Sequence, residues 1–211
     1  MQKTLIAIAF ALALAGCARA PSPETSAAPV AAAPQADVAG ETARLNQWFE
    51  KKYEEQLHFS PLQLTFQGRK DLYDQLDDMS VQAQRDRVAW QKASVEEMER
   101  SFGYASLGAG GKSSYDLWKQ QYAYARDALP FMYDGYAFDQ MNGAQSFLPT
   151  VLISFHKVDE ESDYTAYVSR LKATGRAFDQ LLERARTSAG QGIRPPKFAY
   201  EGVIDQSRKV I

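Results

Sequence analysis

The stretch SDYTAYVSRLKATGRAFDQLLERARTSAGQG, Ser162 to Gly192, decides the fold class. Tyr164, Tyr167/Val168, Leu171, Phe178, Leu181/Leu182 and Ala185 recur at three- to four-residue steps with charged side chains between them. That spacing sets them along one stripe of an α-helix, since a turn takes 3.6 residues. Ser162 supplies an N-cap, and the glycines at 190 and 192 supply a stop. A helix of this length must cover its stripe with partners, and the rest of the chain offers helices.

Upstream, Ala144 to Phe155 reads as a helix with Pro149 inside it, after an aromatic, aperiodic loop from residue 131. Tyr133, Tyr136 and Phe138 in that loop read as core residues rather than a stacking platform. Leu117/Trp118, Tyr122, Ala125 and Leu129 mark a helix capped by Ser113 or Ser114 and ended by Pro130. Val81, Val88, Val95, Met98 and Phe102, opened by Ser80, give another of about 22 residues. Ser60 and Pro61 start a short helix that Gly68 ends, and Leu45, Trp48/Phe49, Tyr53 and Leu57 carry the first. Between them, residues 69–80 read as a polar connector whose Asp74, Asp77 and Asp78 form a solvated loop. After Pro195-Pro196, residues 198–210 begin another helical pattern. No run alternates with period two over more than a few residues. The expected architecture is all-α, an irregular array of about six helices.

The first forty residues have a different character. Lys3 followed by the apolar run Leu5 to Leu14 is too short to span a bilayer and suits a signal-peptide core. Leu14-Ala15-Gly16-Cys17 then resembles the bacterial lipobox, which implies cleavage after residue 16 and lipidation of Cys17. Ala18 rather than Asp after that cysteine implies the outer membrane, facing the periplasm. Cys17 is the one cysteine of the chain, so it has no disulfide partner. Residues 17–40 are Ala/Pro-rich with few large apolar groups and read as a disordered tether. At about 3.1 Å per residue it reaches roughly 70 Å from the membrane. The domain plan is therefore signal peptide 1–16, lipidated tether 17–40 and helical body 41–211.

A net charge of -2 over 211 residues argues against nucleic acid as a partner, because phosphate binding calls for a basic patch. The candidate chemistry is thin. GAGGKSS at 108–114 lacks the glycine a phosphate loop needs at Ser106, follows a helix rather than a strand, and reads as a flexible connector. The two histidines, His58 and His156, are far apart in sequence, and no HExxH is present, so no metal site is expected. No GxSxG elbow occurs either. His156 ends an apolar helical run, where a helix dipole favours partial positive charge, or else donates a hydrogen bond into a ligand cleft. On residue chemistry alone there is no catalytic constellation.

The block from Gln140 to Gln206, with Gly143, Gln145, Leu148-Pro149, His156, Tyr167, Arg170-Leu171, Gly192 and Pro195-Pro196-Lys197, resembles the bacterial DUF885 family. Ser60-Pro61, Thr65 and Gly68 resemble a short segment nearer that family's start, and the likeness runs from Leu45 to Ile211. The resemblance implies relatives of zinc metallopeptidases, largely helical, whose HExxH-type motif lies in a C-terminal half. No residue here matches those ligands, so zinc is expected in complete members and not in this chain. Gln145, His156, Pro195 and Pro196 carry over only as residues that border a substrate cleft, with a peptide as the implied ligand.

On this reading FAYEGVIDQSRKVI, residues 198–211, is an internal segment, and the missing C-terminal half is an intramolecular partner. The stripe from Tyr164 to Ala185 and Val203-Ile204 should then be exposed. The chain is expected to be the non-catalytic N-terminal part of a lipid-anchored, zinc-peptidase-like protein, truncated in its gene. The alternative is a self-sufficient helical periplasmic lipoprotein that acts as a binding module.

Overall fold

The computed structural model describes residues 37–210. The expected signal segment, Cys17 and the tether up to residue 36 lie outside the described residues. Seven α-helices and no strand occur among the described residues, so the chain is all-α. Helix α1, Val38–Leu57, begins ahead of the expected Glu41, because the Asp37 carboxylate accepts from the Gly40 N–H at 2.8 Å. Helix α2, Pro61–Phe66, has Ser60 as its N-cap and Pro61 in its first turn, and the chain leaves it through Gly68 at φ +75°. Helix α3, Val81–Ser101, is capped by Ser80, whose Oγ accepts from the Ala83 N–H.

The next two helices depart from the sequence pattern. Helix α4, Ala109–Ala128, takes the glycine-rich stretch into its first turn, so that stretch is no flexible connector. Gly111 is buried there, and a Cβ on it would lie 3.0 Å from the Thr42 methyl. The absent side chain lets α4 press against α1, while Thr42 Oγ1 accepts from the Gly108 N–H at 2.9 Å. Helix α5, Ala144–Thr150, continues as a π-helical turn, Val151–Phe155. Pro149 has no N–H for the α-helical ladder, and the turn beyond it is wider.

Helix α6, Glu161–Gly190, is the long element expected, and α7, Lys197–Arg208, follows Pro196. Its cap is not Ser162. The Asp163 carboxylate accepts from the N–H groups of Asp159 and Glu160, with Glu160 as the N-cap. The buried face is also rotated from the apolar stripe: Asp163, Ala166, Arg170, Ala177, Leu181 and Ser188 face inward. Tyr164 and Leu171 are 60% and 52% exposed, and Leu182 and Ile204 are exposed as well. Half of the inward positions are polar, and hydrogen bonding rather than hydrophobicity selects them.

Two apolar cores result. Leu45, Met98, Phe102, Leu107 and Tyr115 join α1, α3 and α4, flanked by Trp48, Phe49 and Trp118. The indoles of Trp48 and Trp118 meet edge-on at 5.7 Å and donate to Glu97 and Ser94 respectively. Leu62, Leu76, Leu148, Val151, Ala177 and Leu181 form the second core around α6. Each fully buried aliphatic side chain contributes roughly 1.5–3 kcal/mol relative to exposure.

Candidate functional site

Of the three acids expected in a solvated loop, Asp74 is exposed, but Asp77 and Asp78 hold other elements in place. Asp77 accepts from the Ser60 hydroxyl at 2.6 Å and from the Leu62 N–H at 2.9 Å, so it anchors the start of α2. Asp78 accepts from the Ser80 N–H and from the Gln180 side chain on α6. Just ahead of this pair the chain turns inward at Tyr73 and Leu76, both buried. That turn delivers Tyr73 to the expected site residue His156, whose ring stacks on it at 4.0 Å.

His156 is buried, and both ring nitrogens are engaged. Arg170 Nη1 lies 3.2 Å from Nδ1, and a guanidinium only donates, so Nδ1 accepts. The proton therefore sits on Nε2, which donates to the Asp163 carbonyl at 2.9 Å. Burial, with the Arg170 charge beside it, pushes the imidazole below its ordinary range, so this ring is held neutral rather than helix-dipole positive. Fixed on both sides, it has no free nitrogen for a ligand or a metal.

Arg170 is completely buried and, among the described residues, has no carboxylate partner in hydrogen-bond contact. It donates to the Gln75 carbonyl at 2.8 Å, to Thr65 Oγ1 at 2.7 Å and to the Pro61 carbonyl at 3.3 Å, with the Tyr73 ring 4.8 Å from its centre. Burial lowers its pKa. Lys70 pairs with the buried Asp163 at 2.7 Å and holds that carboxylate below its usual range. The node thus ties α2, the connector, the π-helical turn and α6 together, and it is architectural.

The other expected site residues lie elsewhere. Buried Gln145 donates to the Asp139 carbonyl at 2.6 Å and to the Gln206 side chain at 2.7 Å, and Gln206 donates to the Gln140 carbonyl. This clasp fixes α7 against the loop before α5. Pro195 lines an open apolar cavity of about 240 Å³ between α6, α7 and residues 135–138, and Pro196 caps α7 beside it.

The cavity follows from how α6 ends. Gly192 at φ +85° turns the chain back, with the Ile193 N–H bonded to the Ser188 carbonyl. Ser188 Oγ donates to the Tyr133 carbonyl at 2.6 Å and holds the aromatic loop over the same helix end. Alanines at 137, 185, 189 and 199 line the gap, and Tyr136, Ile193 and Tyr200 wall it. Of its lining residues only Arg186 and Arg194 are charged. The sequence signal was present in Ala185 and Ala189, one turn apart on α6, but small residues at helical spacing say nothing about what faces them.

The described residues do not fit a zinc site. No three His, Cys, Asp or Glu side chains among them come together as a metal-binding group. His58 Nδ1 lies 2.7 Å from the Glu54 carbonyl, and His156 is committed as above.

A family model described as "Bacterial protein of unknown function (DUF885)" matches residues 61–211. No curated protein and no solved structure matches the chain.

Proposed function

The chain belongs to the DUF885 family, and from that premise we propose that its helical body is the non-catalytic, ligand-holding part of a lipid-anchored protein. In this reading Cys17 carries the anchor, residues 18–40 are the tether, and the body faces the periplasm from the outer membrane. Support for the anchor is the Leu14-Ala15-Gly16-Cys17 motif alone. No helix among the described residues is long and apolar enough to cross a membrane.

The observation that carries the ligand-holding role is the cavity at the α6–α7 junction. A preformed apolar recess with a few polar groups at its mouth is the usual form of a small-ligand site. An apolar cavity of about 150 Å³ already takes up a benzene-sized group. The 240 Å³ here therefore admits one ring or branched side chain of a peptide. Peptide-bond hydrolysis and its zinc are, in this proposal, not the work of residues 37–210.

The test is binding of an acetylated tripeptide ending in Phe, followed by calorimetry, to the parent chain and to Ala189→Phe, which fills the cavity. Saturable binding to the parent and none to the filled variant supports the proposal. Equal binding to both refutes it. A second reading, a self-sufficient binding module, is favoured by two closed cores within residues 37–210. A single cooperative thermal transition of the chain by itself supports it, and a broad, uncooperative melt counts against it.

A further inference from the structure

We infer that the α6–α7 cavity selects a free C-terminal carboxylate: the ligand is a peptide whose last residue is aromatic or large aliphatic. The inference rests on the binding role proposed above and adds the class of ligand. The recess itself is apolar, yet its charged lining is all of one sign, with Arg186 on the last turns of α6 and Arg194 on the returning chain. No Asp or Glu lines it. Arg186 makes no hydrogen bond or ion pair among the described residues, and Arg194 spends one nitrogen, Nη2, on the Ala189 carbonyl at 3.3 Å.

Tyr136 and Tyr200 also line the cavity, and neither hydroxyl is hydrogen-bonded among the described residues. Two guanidinium groups and two phenol donors around an apolar recess complement a group that is apolar at one end and anionic at the other. A carboxylate takes hydrogen bonds from guanidinium in a planar, two-point geometry. The polar groups separate peptide from lipid. Beyond the carboxylate, a peptide offers backbone N–H and C=O groups to the Tyr136 and Tyr200 hydroxyls, whereas an acyl chain offers none.

The α6 C-terminal carbonyls explain a basic residue nearby, since a helix end attracts cations. They take up one nitrogen of Arg194, through Ala189, and leave its other nitrogens and the whole Arg186 guanidinium unbonded among the described residues, beside two unbonded phenols.

The experiment compares acetyl-Ala-Ala-Phe as the free acid with its C-terminal amide, on the full chain and on Arg186→Gln/Arg194→Gln. Both arginines are exposed, so the double variant keeps the fold, which circular dichroism checks. A charge-assisted contact predicts that amidation weakens binding about ten- to a hundredfold, and that the double variant loses this discrimination. Equal affinity for acid and amide overturns the carboxylate inference and leaves the apolar-pocket reading standing. Failure of both ligands to bind sinks the pocket reading itself. Dodecanoate binding more tightly than the free acid overturns the peptide assignment in favour of a lipid.

Discussion

Replacing Arg170 with Met removes the guanidinium while keeping an unbranched side chain in its place. Two acceptors, the buried His156 Nδ1 and the partly buried Gln75 carbonyl, then lose their protein partner. The Pro61 carbonyl keeps its bond from the Thr65 hydroxyl, so it is not orphaned. An unsatisfied buried acceptor costs about 1–3 kcal/mol and a partly hydrated one less, so roughly 2–6 kcal/mol is an upper bound for the pair. Relief from burying a charge offsets part of this, so the expected loss is about 2–4 kcal/mol. For a chain of this size about 1 kcal/mol lowers Tm by 2–4 °C, so the variant should melt roughly 4–16 °C below the parent. Thermal melts and urea titration read it directly. In a His156→Phe background, where one orphan is already gone, the cost of Arg170→Met should shrink by about 1 kcal/mol. A loss under about 1 kcal/mol in the parent, with no coupling to His156, would refute the claim that this node holds the fold together.

Two further perturbations bear on the same architecture. His156 has a folded-state pKa below its ordinary 6.5, so the unfolded chain binds a proton more readily. Its contribution to stability is therefore complete above pH 6.5 and is lost as pH falls from there through the lowered folded value. Urea midpoints should decline over that window, and His156→Phe should flatten the decline; an unchanged slope contradicts the neutral, Arg170-facing ring. Gly143→Ala places a methyl group against the backbone of Asp139, where an added Cβ has no room. The loop that carries Tyr136 and Phe138 must move, at a cost of about 1–3 kcal/mol. A unchanged urea midpoint would show that the loop is not locked as described.

Sequence periodicity located the helices because apolar spacing and caps such as Ser60, Ser80 and the glycine turn at 192 act locally. The apolar stripe of α6 does not mark its buried face, since Asp163, Arg170 and Ser188 point inward by virtue of partners far away in the chain. Lys70, Thr65, Gln75 and Tyr133 supply those partners, and nothing at helical spacing reveals them. The same limit hid the use of Asp77 and Asp78, which look like ordinary loop acids until α2 and α6 are placed beside them. Gly111 was misread for the opposite reason. Four small residues look like a break, but the lack of a side chain there is what allows α1 and α4 to touch. Of the residues expected to border a cleft, Pro195 lies in the cavity wall, while Gln145 and His156 are buried in clasps that position the surrounding elements.

The most direct test of the account is chemical-shift mapping of the full chain during titration with acetyl-Ala-Ala-Phe. Saturable shifts confined to the methyl groups of Ala137, Ala185, Ala189, Ala199 and Val203 are predicted, with Leu45 and Met98 of the other core unmoved. Shifts centred on the α1, α3 and α4 core, or no saturable shift in the cavity, would contradict the assignment of the α6–α7 junction as the binding site.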